Sequence, residues 1–159
     1  MNRTYIGKSE RHGNGVFALK DLNVNDVVNV CHFRKLGISH SDIIDTELEP
    51  YTFQSPDFET SGEIHVLVTG HGSLLNHDYD YPNVNYIVHG DTYIFYATTK
   101  IPKGHELLLN YNGKRYNLDV SSLSFEDTYS HIFKIIMFVI SIISVTWCVK
   151  KYNTNKNGS

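Results

Sequence analysis

GSLLNHDYDYPN, from Gly72 to Asn83, is the stretch whose reading decides the fold. Leu74 and Leu75 read as the end of a buried strand running into Asn76-His77, and an acidic, aromatic loop then closes on Pro82-Asn83. An Asn-His pair in that setting places an amide, which both donates and accepts, and an imidazole beside backbone groups that a ligand can reach. Taken alone the pair also suits a plain turn, because Asn, Asp and Pro are ordinary turn residues. Two distant partners give it weight: HGNGVFA at His12–Ala18 and HELLLNY at His105–Tyr111.

On the N-terminal side of this stretch, EIHVLV at Glu63–Val68 is β-prone, and Gly70 and Gly72 surround His71. In LEPYTFQSPD, Pro50 restricts Leu48-Glu49 toward extended backbone, so Tyr51 and Phe53 are expected on one strand face. Residues His40–Thr46 read as polar helix or loop, Val27–Cys31 as a buried strand and Lys20–Asn25 as a turn. Thr4–Ile6 and Val16–Ala18 read as strands around a polar loop in which Gly13 and Gly15 flank Asn14. Two glycines there let the chain turn sharply and offer bare backbone to a bound molecule, or simply close a hairpin. On the C-terminal side, Val84–Val88 alternates, Gly90-Asp91 signals a hairpin turn, Tyr93–Ala97 returns and Leu107–Leu109 follows a polar turn. Many short strands with little helical periodicity predict a mainly β domain built of several short sheets.

The chain has 159 residues, enough for one domain with a real core and short extras. Its two cysteines, Cys31 and Cys148, argue against a disulfide framework or a Cys-rich zinc cluster and favour a reducing compartment. All 17 acidic residues precede residue 128 and four of the 14 basic ones follow residue 131, so the first 131 residues carry 10 − 17 = −7. An acidic domain repels phosphate backbones, which excludes direct nucleic-acid binding as a main function, and it favours basic peptides. His71, His77, Asp78 and Asp80 lie close in sequence, but their spacing is no known cage, so no metal is expected. The start, MNRTYIGKSE, is polar and reads as no signal peptide.

The tail differs in kind. SSLSFEDTYSH reads as a polar connector, and IFKIIMFVISIISVTWCV at residues 132–149 is apolar with one charge. At about 1.5 Å per residue such a helix spans roughly 27 Å, enough for a thin bilayer. Its polar residues form no stripe, and Trp147 lies beside Lys150-Lys151, as at a membrane interface. A buried core helix is the other reading of the same composition. The expected organisation is a domain at 1–118, a connector at 119–131, a transmembrane helix at 132–149 and a polar tail at 150–159. The domain would then be membrane-anchored and face the cytosol or nucleus.

The glycine pair, the Asn-His pair and the terminal Tyr, in that order, resemble the three signature motifs of the SET-domain protein-lysine methyltransferases. YIFYATTKIPKG, which joins the last two, also looks like that family, and the likeness runs in register over roughly residues 4–117. It resembles the compact SET-only type found in small viral and bacterial members. The resemblance implies short sheets around a C-terminal pseudoknot (β-clip type), with the Asn-His and Tyr segments threaded side by side. It implies methyl transfer from S-adenosylmethionine to a lysine of a basic protein or peptide, a histone tail or a membrane-proximal protein. Carried over, Gly13, Asn14 and Gly15 hold the methionine end of the cofactor through backbone groups. Asn76 bonds its amino-acid or adenine part, His77 lends its backbone and packs its ring, and Tyr111 is the catalytic tyrosine. Tyr51, Leu109 and Tyr116 are placed along the substrate channel. Relatives of this type often pair, so the resemblance admits a homodimer.

Four departures stand out. Asp78 replaces the usual Ser after Asn-His, the loop to Pro82-Asn83 is one residue longer, and His105 replaces the first acid of the usual GEEL while Glu106 keeps the second. Leu109 stands two before the Tyr, where the family often has Phe or Tyr. Without a hydroxyl there, di- or trimethylation is expected to be accessible. The three-Cys zinc segment of many relatives is missing, so one channel wall is unassigned; Phe125 and Tyr129 in the connector can fold back to supply it, or the connector is a disordered tether. The changes at Asp78 and His105 support the alternative of a catalytically inactive SET-fold binding module tethered to a membrane.

Overall fold

The wall on which the site is built is β8 (Thr92–Ala97), whose Tyr93, Ile94, Phe95, Tyr96 and Ala97 are all buried. A strand covered on both faces reads as a continuous apolar run rather than an alternation. Tyr93, Phe95 and Ala97 point into the main core, and Ile94 and Tyr96 into a second cluster with Val27, Ile87 and Leu123. Each such ring or branched chain contributes roughly 1.5–3 kcal/mol on burial. The computed structural model describes residues 3–38, 40–57, 65–113 and 118–125.

Among the described residues, eight strands form one hydrogen-bonded path, and a ninth, two-residue strand pairs with it off the path. β1 (Thr4–Lys8) and β2 (Asn14–Ala18) make an antiparallel hairpin in which Ile6 faces Val16, and Tyr5 stacks on Phe17 with centroids 5.5 Å apart. β2 continues to β9 (Glu106–Leu109), pairing Val16 with Leu107. On its other side β9 runs parallel to the two-residue β6 (Asn76–His77), with Asn76 opposite Leu108 and His77 opposite Leu109, and touches β7 (Val84–His89) through Val84. β7 and β8 form a hairpin over Gly90, whose φ of +59° is the left-handed turn that Gly adopts freely. β8 then pairs with β3 (Val27–Lys35), β3 with β5 (His65–Val68), and β5 with β4 (Thr52–Gln54). Most of the expected strands are found, and the Asn-His segment does run beside the strand that leads to Tyr111.

Two local expectations fail. Leu74 ends a 3-10 turn at His71–Leu74 rather than a strand. Gly72 in that turn lies so close to Phe95 that a Cβ would overlap the ring, and the His71 ring meets Thr4 Oγ1 at 2.8 Å. Packing against the core thus sets the turn that delivers the chain to Asn76. Likewise Glu49–Tyr51 is a 3-10 turn with Pro50 in its first positions, and Leu48 is in the right-handed helical region. A leading proline suits a helix start, where its missing N–H has no partner to lose, and here that preference outweighs the restriction on preceding residues. Tyr51 therefore sits ahead of the strand, and Phe53 in β4 does not share a strand face with it. His40–Ile43 is a four-residue helix, as the polar reading allowed.

The folded unit runs over Asn2–Phe125, past the boundary expected at residue 118. Leu123 is buried, Leu118 and Val120 pack beside it, and Ser124 exchanges backbone bonds with Val27 and Asn25 at 2.8 Å each. The buried Arg3 closes this seam, bonding the carbonyls of Val27 and Ser124 at 3.1 and 3.2 Å and pairing with Asp26 at 3.1 Å. Residues 119–125 of the expected connector thus belong to the folded unit. Tyr116, Tyr129, Cys148, the apolar segment 132–149 and the tail lie outside the described residues. Among the described residues no helix is long and apolar enough to cross a membrane.

Candidate active site

Three segments meet where β2, β6 and β9 lie side by side. Gly13, with φ +49°, lets the chain reverse into β2, and a side chain there would meet open space. Gly15 is enclosed: a Cβ would overlap the Glu106 carboxylate and lie 3.0 Å from the Asn76 amide nitrogen. Asn76 Nδ2 donates to Glu106 Oε1 at 2.8 Å, to the His12 carbonyl at 3.1 Å and to the Asn14 carbonyl at 3.3 Å. Two hydrogens shared among three acceptors make one of these a forked bond. The other Glu106 oxygen accepts from Ser9 Oγ at 3.0 Å, and Ser9 Oγ accepts from the Arg11 N–H at 2.9 Å.

His77 and Tyr111 form the second half. Their rings lie 5.0 Å apart, and His77 Nδ1 is 3.0 Å from the Tyr111 N–H and 3.2 Å from the Leu109 carbonyl, so its tautomer selects which of the two it bonds. The Tyr111 hydroxyl donates to the Leu75 carbonyl at 2.6 Å. Although 54% of the residue is exposed, that end is turned inward, and burial raises the phenol above its ordinary value. It is therefore neutral at physiological pH.

Tyr111 lines a cavity of about 680 Å³ with Leu109, Phe53, Tyr86, Ser73 and Glu49. Leu109, 2% exposed, also bounds a second cavity of about 400 Å³ with Pro82, Asn85 and Asn110. Of the three residues placed along the channel, Leu109 lines both cavities and Tyr116 lies outside the described residues. Glu49, Pro50 and Thr52 line the cavity, but Tyr51 is 45% exposed and is not part of the lining, because the 3-10 turn rotates it away.

Asp78 neither faces solvent nor lines either cavity. It is 7% exposed, accepts from the N–H groups of Tyr81 and Asp80 at 2.8 and 2.9 Å, and pairs with Arg11 Nη2 at 2.6 Å. The Tyr81 N–H first, then that of Asp80 and the Arg11 charge, hold its carboxyl below the usual range against the opposing effect of burial. His105 is exposed and contributes its backbone, accepting from the Ala18 N–H at 2.9 Å.

Sequence reading missed the joining role of Glu106, although it marked the acid as retained in HELLLNY. It also missed Ser9, Arg11 and the Leu75 carbonyl, which carry no local signal because their partners are remote in the chain. Phe53 was read for its strand and not for the cavity.

The site also fits the implied cofactor. The His12 and Asn14 carbonyls and Asn76 Oδ1, which has no hydrogen-bond partner among the described residues, make a corner rich in acceptors beside the open face of Gly13. Such a corner suits a ligand that carries ammonium and sulfonium charge.

Fold and site together define a β-rich domain in which a glycine loop and an Asn-His strand are laid beside a strand that leads into Tyr111. The chain belongs to the SET-domain family, a methyltransferase family, whose model matches residues 13–112. Among solved structures, it is similar to the crystal structure of a Plasmodium falciparum protein described as a candidate histone methyltransferase. The two share 26% identity and a TM-score of 0.55, over 72% of this chain and 96% of that one. No curated protein matches the sequence.

Proposed function

We propose that the chain is an S-adenosylmethionine-dependent protein-lysine N-methyltransferase acting on a lysine in a basic peptide segment. One observation carries this reading: a neutral Tyr111 lies in the wall of a cavity, and its hydroxyl is anchored on the carbonyl of Leu75, the residue just before the Asn76 whose amide holds the His12 and Asn14 carbonyls. Bound there, the cofactor supplies a methyl group made electrophilic by its sulfonium. The residues at 13–15 and Asn76 hold its amino-acid end through carbonyl and amide oxygens. Because the Tyr111 hydroxyl gives its proton to Leu75, its oxygen is free to accept an N–H from the lysine amine and aim the nitrogen lone pair. A raised phenol pKa suits it to orienting rather than removing protons.

The net −7 of residues 1–131 supports a basic substrate, a histone tail or a protein near a membrane. The apolar run at 132–149, with Trp147 and Lys150-Lys151 at its end, supports a tether that keeps the domain on the cytosolic or nuclear face. Asp78 and His105, on which the inactive alternative rests, line neither cavity. The test is calorimetry with S-adenosylmethionine, followed by labelled methyl transfer onto histones and cell lysate, wild type beside Tyr111→Phe. Binding with transfer abolished by the substitution is expected. Cofactor binding without transfer to any protein would favour the inactive module, and no binding at all would end the methyltransferase reading.

A further inference from the structure

Arg11 is held at both ends. Its backbone N–H is bound to Ser9 Oγ, which donates to Glu106, and its guanidinium reaches Asp78. Glu106 in turn accepts from Asn76, two residues before Asp78 in the chain. The contacts close into a ring, Arg11 to Ser9 to Glu106 to Asn76 to Asp78 and back to Arg11. Between its members hang His12 and Asn14, whose carbonyls face the Asn76 amide. An isolated exposed ion pair would be worth little. Here one partner is buried and the other is tied into the same loop, so the pair acts on spacing more than on stability.

We infer that Arg11 and Asp78 form a clasp that sets the distance between the glycine loop at 13–15 and the Asn76 strand, and through it the affinity for the methyl donor. They are positioning residues, and neither lies on the acceptor corner itself. The inference rests on the reading of that corner as the donor site. A hydroxyl at position 78 could hold the N–H groups of the turn but could not form an ion pair with a guanidinium, so the clasp depends on the Asp78 carboxylate. Asp78 thereby does two separable things. Its Oδ1 holds the turn at Asp80 and Tyr81, and its Oδ2 holds Arg11.

The separation gives the test. In the full chain, Asp78→Asn keeps an oxygen for the turn and loses the charge, whereas Arg11→Gln touches only a half-exposed side chain. Binding of S-adenosylhomocysteine, read by calorimetry, is expected to weaken about three- to tenfold in either variant. Because the two groups act as one unit, the double variant is expected to be no weaker than either single one. Arg11→Lys keeps most of the affinity, whereas in Asp78→Asn and Arg11→Gln the KM for the donor rises while kcat stays within about twofold. Without ligand, amide exchange at 13–15 is expected to quicken in Arg11→Gln at an unchanged melting temperature. Wild-type affinity in both single variants, or strictly additive losses, would overturn the clasp, as would unchanged loop exchange. Failure of the wild type to bind the donor or its product would instead overturn the reading of the corner. Loop exchange then decides the structural half by itself.

Discussion

The Tyr111 hydroxyl donates to the Leu75 carbonyl at 2.6 Å, joining the end of the tyrosine segment to the residue that leads into the Asn-His strand. The bond orients the phenol and commits its proton, leaving the oxygen to accept. Tyr111→Phe removes that oxygen while keeping the ring against His77. Methyl transfer is expected to fall by about 100-fold or more, whereas stability changes by only about 1 kcal/mol, the net worth of one such bond. Radiolabel incorporation and a thermal melt check both, and a fully active Phe variant would remove Tyr111 from the chemistry.

The two glycines of the loop should respond differently. Gly15→Ala drives a methyl into the Glu106–Asn76 contact, so a loss of roughly 1–3 kcal/mol from overpacking and of more than about tenfold in S-adenosylhomocysteine binding is expected. Gly13→Ala meets no atom and carries only the left-handed backbone cost, roughly 1–2 kcal/mol. Chemical denaturation with calorimetry on both variants checks the order, and equal binding losses would contradict it.

Asp78 links stability to pH. Its folded carboxyl titrates below the ordinary value, so its contribution is fully present above the unfolded value, near about 3.9. That contribution is lost as pH falls through the lower folded value. The gap in urea midpoint between wild type and Asp78→Asn should be steady above about pH 5 and close as the pH drops below about 4. A gap that stays constant down to the acid transition would mean the charge contributes nothing.

Leu109 lines both cavities and has no hydroxyl. Wild-type product is expected to include di- or trimethyl-lysine, and Leu109→Tyr, which can extend into either cavity, to shift it toward monomethyl-lysine. Mass spectrometry of a methylated peptide reads the distribution, and a wild type that stops at one methyl would refute the assignment.

The end of the folded unit sets where the chain can be cut. A protein ending after Phe125 is expected to be folded and to stay in the soluble fraction while the full chain partitions into membranes. One ending after Val120 forfeits the buried Leu123, roughly 1.5–3 kcal/mol, together with the Ser124 bonds to Arg3, Asn25 and Val27. Its melting temperature should therefore fall. Equal partitioning of the full chain and the Phe125 truncation would sink the membrane segment.

Where local rules act alone, sequence reading succeeded. Alternation from Val84 to Val88, the Gly90-Asp91 turn and the return through Tyr93 specify a hairpin whatever surrounds them. It failed where two local rules compete or where packing overrides them. Pro50 both restricts its predecessors and suits a helix start, and nothing nearby says which wins. Leu74 looks like strand, yet the Phe95 ring against Gly72 makes the segment a 3-10 turn. The signature motifs were legible because each carries a residue type with a specific backbone or hydrogen-bonding demand. Their mutual contacts were not.

The amino-acid order alone settled the strand pattern, the glycines that free the loop and the identity of the phenol and amide, since these follow from conformational preferences acting over a few residues. Tertiary structure alone decided that Asp78 turns to Arg11, that Tyr51 leaves the cavity and that residues 119–125 join the core. Those outcomes depend on which distant groups are brought within hydrogen-bond reach when β6 is laid beside β9, and no local preference encodes a meeting between segments so far apart along the chain.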